Sequence, residues 1–124
     1  MKKFSNKWKS SRKPRKQRKY QFNAPLHSKY KFMAAKLSKE LAKKYGIKRI
    51  EARKGDKVKL MRGQFSGTTG KINRVNISET RIYIDGIERT KIDGSKAFYP
   101  VHPSNVMIVD LAAEDKRRFK RSKK

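Results

Sequence analysis

The stretch RKGDKVKLMRGQFSGTTGK, residues 53–71, gathers the residue types from which phosphate chemistry is built. It holds four of the chain's seven glycines, two threonines, and six lysines or arginines around one acid, Asp56. A glycine loop cradles a nucleotide phosphate when two glycines stand five apart and are followed by Lys and then Ser or Thr. Before Gly70-Lys71 the first of those glycines would fall on Phe65, and the residue after Lys71 is Ile72, with no hydroxyl for magnesium. The motif fails at both ends. Gly67-Thr68-Thr69-Gly70 has the outline of a backbone clamp on single-stranded RNA, but such a loop joins two helices and both flanks here read as strand. What the stretch does supply is turn geometry. Gly55, Gly63 and Gly67 accept positive φ, Gly70 permits a bulge or a close backbone approach, and Asp56 can bond nearby amides at the turn. These five residues read as structural turn residues.

Other chemistry finds little material. There is no cysteine, which excludes disulfides, thiolate metal sites and Cys nucleophiles. Two histidines and ten scattered acids give no Ser–His–acid set, no paired carboxylates and no metal-ligand cluster. We therefore expect no catalysis, no metal, no cofactor and no small-molecule substrate. His102 has no second ligand at metal-binding spacing, and Ser104 and Asn105 beside it read as turn formers. His27 suits either a structural turn or a ring stacked on a base or bonded to phosphate.

Charge dominates instead. Thirty-six Lys and Arg against ten Asp and Glu give a net charge of +26 in 124 residues, with a pI near 10.7 and a mean hydropathy of −1.01. Self-repulsion at this level disfavours a compact free protein and favours a polyanionic partner, nucleic acid before an anionic membrane surface. No apolar run is long enough to span a bilayer, and no apolar segment follows the basic N-terminus as a signal peptide requires. A cytosolic location fits. The first carboxylate is Glu40, so residues 1–39 carry fourteen basic residues and no acid. The chain divides into a basic extended arm over 1–27, a helical segment over 28–46, a barrel over 47–111 and a basic tail over 112–124.

Within the arm, Pro14 and Pro25 and the absence of any periodicity predict an extended segment, disordered in free solution. Trp8, Tyr20 and Phe22 interrupt the basic run, and rings between cations suit a strand lying in an RNA groove. A solubilising tail or localisation signal is the plainer alternative. From Ser28 to Tyr45, Met33, Leu37, Leu41 and Tyr45 recur every four residues as a helical stripe, which reads as packing. Gly46 suits a left-handed cap, and Ser38 an N-cap that splits the stretch into two short helices. After residue 50 the period becomes two. Val58 and Leu60 oppose Lys57 and Lys59; GKINRVNI is a strand whose apolar spacing slips, as at a bulge; ETRIYIDG is a third; TKIDGSKAFYPV is a hairpin around Asp93-Gly94; and HPSNVMIVDL is the last strand. Short strands with tight turns predict a mainly β fold, a small, strongly bent antiparallel barrel. The tail from Glu114 to Lys124 is either a frayed helix or ordered only on a partner.

The candidate RNA-binding residues follow from this layout. In the arm and just beyond it they are Arg12, Lys13, Arg15, Lys16, Arg18, Lys19, Tyr20, His27 and Lys29. In the first hairpin, Lys57 and Lys59 share a polar face, Arg62 sits at the turn, and Lys71 and Arg74 follow on the second strand, where they would meet phosphates without reading sequence.

Arg53-Lys54-Gly55-Asp56-Lys57-Val58 with Gly63, Gly67 and Gly70-Lys71-Ile72 resembles the KOW motif, a hairpin of SH3-like barrels in ribosomal and transcription proteins. Arg15–Lys19, Asn23-Ala24-Pro25-Leu26-His27, Leu37–Leu41 and Lys44-Tyr45 before it, and Phe98–Ile108 after it, narrow the likeness. Together they resemble large-subunit ribosomal protein twenty-four in its archaeal and eukaryotic form, from about residue 12 onward, and FYP with HPSNV leans towards the archaeal branch. The resemblance implies an SH3-like KOW barrel and a structural constituent of the large ribosomal subunit. It implies direct binding near the 5′ part of the large-subunit rRNA, help in starting assembly, a place near the peptide exit tunnel, and neighbouring large-subunit proteins as partners. The alternative is a free KOW-type transcription factor or nucleic-acid chaperone. Such factors usually carry a preceding mixed α/β domain, which residues 1–50 are too basic and too poor in strands to supply.

Overall fold

Pro14 opens a helix rather than breaking one. A proline at the first helical position loses no bond, because its missing N–H would have had no partner there. The Arg, Lys and Gln residues behind it are straight-chained and of good helix propensity. In the computed structural model, which describes residues 4, 5, 7, 8, 10–112 and 117–119, helix α1 runs Pro14–Asn23. The arm is therefore not extended throughout. Lys and Arg on every side of this helix keep their charges in water, and none of its residues is buried. Ala24, held extended before Pro25, ends it.

Helix α2 (Leu26–Lys29) and a 3-10 turn (Tyr30–Met33) lead into strand β1 (Ala34–Leu37), then helix α3 (Lys39–Tyr45) and strand β2 (Arg49–Glu51). The expected helical segment over 28–46 is thus interrupted by a strand. Met33, Leu37, Leu41 and Tyr45 do face one core, but from a turn, a strand and a helix in succession. Pairing overrides the local spacing: Ala34–Lys36 lie antiparallel to β2, and Lys36 and Leu37 lie beside Met107 and Ile108. Ser38 caps α3, its Oγ accepting from the Leu41 N–H at 3.4 Å, and Gly46 closes the helix in the left-handed region.

The remaining strands are β3 (Lys57–Leu60), β4 (Thr69–Asn76), β5 (Arg81–Ile84), β6 (Glu88–Thr90), β7 (Lys96–Phe98) and β8 (Val106–Asp110). They form a six-stranded sheet in the order β2-β1-β8-β3-β4-β5 and a separate β6–β7 hairpin around Asp93-Gly94. Reciprocal bonds between Ile82 and Val101, at 2.8 and 2.9 Å, bend β5 back towards the segment that feeds β8. The result is mainly β, a small SH3-like barrel. Its neighbours in the six-stranded sheet are antiparallel except β1 and β8, which run parallel, so the barrel is not antiparallel throughout.

Alternation explains the core. Val58, Leu60, Ile72, Ile82, Ile84, Val106 and Ile108 turn inward and are buried, and each such side chain contributes about 1.5–3 kcal/mol on leaving water. Lys57 and Lys59 stay exposed between them. The slip of spacing in β4 is a register shift between Ile72 and Arg74, which returns Val75 to the inner side opposite Ile82. Gly70 is required by proximity: a Cβ there would stand 2.5 Å from the Asp85 carbonyl oxygen and 2.7 Å from Ile84 Cγ2.

Candidate nucleic-acid interface

Helix α1 has two unlike sides. Residues three and four apart share a helix face, and Arg18, Gln21 and Phe22 do so, looking into a cleft of about 900 Å3. Across that cleft lie Lys29 of α2, Lys31 and Phe32 of the 3-10 turn, Arg49 of β2, the β4–β5 turn Ser78–Arg81, and His102 with Ser104. Five cations line it against one acid, Glu79. Lys29 ties two walls together: its Nζ donates to the Ser78 carbonyl at 3.1 Å and lies 5.9 Å from the centre of the Phe22 ring. A cleft of this sign, with aromatic walls, offers phosphates their counter-charges and a base a ring to lie on.

The floor carries a histidine held in one orientation. His102 Nδ1 accepts the Ser104 N–H at 3.2 Å and lies 2.7 Å from the Ser104 hydroxyl. Burial, and then the nearby Arg81 charge, push its pKa below the ordinary imidazole value. At neutral pH it is an uncharged polar group between cations.

A second basic surface lies on the outside of the barrel. Lys57 stands opposite Lys71 and Lys59 opposite Thr69, all exposed, and Arg74 lies 5.7 Å from the centre of the Tyr83 ring. Like charges placed directly across strands are unfavourable unless an anion lies over them. Arg62 is exposed in the β3–β4 connection, where Gly63 and Gly67 both adopt positive φ.

Of the residues expected from sequence to bind RNA, the cleft gathers Arg18 and Lys29. Arg12, Lys13, Arg15, Lys16, Lys19 and His27 are exposed on α1, its approach and α2 but do not line the cleft, and Tyr20 packs against Phe4 and Trp8 on the opposite side of α1. Lys57, Lys59, Lys71 and Arg74 form the separate outer surface. Sequence reasoning missed Lys31, Arg49 and Arg81, which come from three segments distant along the chain. No local pattern could have joined them.

Asp56 does more than fix a turn. It is fully buried, accepts the Arg53 N–H at 3.0 Å and the Ala112 N–H at 3.1 Å, and pairs through both carboxylate oxygens with Arg118, itself 2% exposed. Arg118 also donates twice to the Glu51 carbonyl, at 3.1 and 2.7 Å, and the Phe119 ring stacks on Tyr45 with centroids 4.4 Å apart. Gly55 (φ +92) brings the turn so close that a Cβ would lie 3.0 Å from the Ala112 Cβ. Residues 117–119 are helical, so this part of the tail is ordered on the chain's own barrel. Residues 113–116 and 120–124, the rest of the tail read from sequence, lie outside the described residues.

Among the described residues no group of His, Asp or Glu could hold a metal, and no helix is long and apolar enough to cross a membrane.

The family model for the eukaryotic ribosomal protein twenty-six and its archaeal counterpart, protein twenty-four, matches residues 11–124. The chain belongs to that family. A large ribosomal subunit protein uL24 of Pyrobaculum islandicum is 49% identical over 107 residues, which cover 86% of this chain and 87% of its own length. As a member of this family the chain is a ribosomal protein and not an enzyme. Phe4 and Trp8 precede the matched segment.

Proposed function

We propose that this chain, a structural constituent of the large ribosomal subunit, binds large-subunit rRNA directly near the 5′ part of that RNA. On this reading it helps initiate subunit assembly and sits near the polypeptide exit tunnel, beside neighbouring large-subunit proteins. The observation that carries direct RNA binding is the cleft between α1 and the barrel, with its five cations, one acid and two phenylalanine walls. A helix without buried residues, as rich in charge as α1, gains its stability from a polyanion rather than from a core.

The test is filter binding to a transcript of the 5′ part of the large-subunit rRNA over a range of salt. About 10 neutralised phosphates give a slope of log affinity on log salt of roughly −7 to −9. Deleting residues 1–22 removes Arg18 and most of α1, so affinity at fixed salt falls severely while circular dichroism still reports the barrel. Unchanged affinity of the truncated chain would refute the reading.

A free transcription factor or chaperone is the weaker alternative. Among the described residues up to 51 the strands are β1 and β2, and both are spent on the barrel sheet rather than on a separate α/β domain. A sucrose gradient of cell extract separates the two: ribosome-bound at stoichiometric level, or with polymerase or at the top.

A further inference from the structure

Phe4 and Trp8 precede the segment matched to the family, yet both rings lie against Tyr20 of α1. The Trp8 ring stacks on Tyr20 with centroids 4.5 Å apart and planes 19° from parallel, and Phe4 meets the same tyrosine at 5.0 Å and 39°. The reversal is tied just before the helix. Gln17 Nε2 donates to the Ser11 carbonyl at 3.0 Å, and the Lys13 N–H donates to Ser11 Oγ at 3.3 Å. At about 100° per residue, Tyr20 lies on the side of α1 away from Arg18, Gln21 and Phe22. The stack is therefore no part of the cleft.

Trp8 remains 37% exposed. Two kinds of surface could cover an indole presented this way: an apolar face of another protein, or the face of a nucleobase. Charge decides between them. Lys7 is its neighbour, Lys16 lies one helical turn before Tyr20 on the same side, Lys13 stands at the helix entry, and all three are exposed. No acid occurs before Glu40. An apolar protein surface gains nothing from that setting. A nucleotide gains at both ends, its base on the indole and its phosphates on the lysines.

We propose that the Trp8–Tyr20 stack is a platform for one unpaired base of RNA, with Lys13 and Lys16 holding the adjoining phosphates. It rests on the RNA-binding reading above and adds to it a second, single-strand-selective contact on the far side of α1. Tyr20 serves as the backing ring and Trp8 as the face that meets the base.

Trp8 is the chain's single tryptophan, so its fluorescence reports this contact alone. The intact chain is titrated with an unpaired oligoadenylate, an RNA duplex, inorganic polyphosphate and poly-glutamate. Oligoadenylate quenches Trp8, whereas the duplex and polyphosphate bind and leave its emission unchanged. Trp8→Ala weakens oligoadenylate binding by about tenfold, the loss expected for one stacked base. It leaves duplex binding and the circular dichroism spectrum as they were, and Trp8→Phe restores most of the affinity. Quenching by polyphosphate equal to that by oligoadenylate overturns the platform, as does full affinity in Trp8→Ala. Quenching by poly-glutamate alone overturns it in favour of an acidic protein partner. Retention of RNA on a filter with silent Trp8 emission sinks the platform only; no retention at all sinks the RNA-binding reading beneath it.

Discussion

Helix α1 and residues 117–119 are both written in lysine and arginine, and the fold treats them in opposite ways. α1 buries none of its residues and displays its cations to water. The C-terminal residues bring one cation, Arg118, to 2% exposure against a carboxylate that is itself fully buried. A basic segment becomes part of the core only where a buried acid with free lone pairs awaits it. Without one, it stays at the surface and its energetics belong to a partner. A buried pair of this kind adds little over a well-packed apolar pair, yet it is costly to break.

The sharpest way to break that contrast is Asp56→Ala. It orphans the Arg53 and Ala112 amides and strips Arg118 of its counter-charge, so a loss of about 3–5 kcal/mol is expected in urea unfolding. A loss below about 1 kcal/mol, the range of exposed ion pairs, would mean the tail is not anchored. Arg118→Ala leaves Asp56 its two backbone donors and should cost less, about 2–3 kcal/mol, with the double variant well short of additive.

His102 comes next. Burial and Arg81 lower its pKa in the folded chain, so the unfolded chain takes up the proton at a higher pH. Stability is therefore fully present above the ordinary value of 6.5 and is lost as pH falls through the lowered folded value. The melting temperature of the wild type should drop more between pH 7 and pH 5 than that of His102→Gln; parallel curves would show that the imidazole stays solvated. The smallest effect sharpens the comparison from the other side. Replacing Arg15, Lys16 and Lys19 together by Ala should move stability by no more than about 0.5 kcal/mol, as for other surface positions, while rRNA affinity falls. A stability loss as large as that of Arg118→Ala would erase the distinction between the two segments.

The strands from Val58 onward were legible because a barrel strand with one wet face must alternate, and the bulge in β4 announced itself as a slip in that alternation. β1 and β2 were not. Ala34–Leu37 and Arg49–Glu51 are too short to show a period, and only their pairing with each other and with β8 makes them strands. α1 was missed for a related reason: a helix that packs on no core has no apolar stripe, and Pro14 looked like a breaker although it stands where helices tolerate proline. Asp56 was legible as a structural acid in a basic stretch, but its partner Arg118 could not be read from spacing. The cleft was half visible. Arg18 and Lys29 belong to a conspicuous basic run, whereas Lys31, Arg49 and Arg81 converge only through the sheet order.

That order has a consequence for synthesis. β8 lies between β1 and β3, so the centre of the sheet is supplied by residues 106–110, near the end of the 124. Until they emerge, β1 and β3 each present an open edge, and such edges recruit foreign strands. A nascent chain of this topology cannot close its barrel progressively, because its most distant pairing, Lys36 with Met107, is among the last that can form. A polyanion holding the early basic residues would keep the growing chain soluble during that wait.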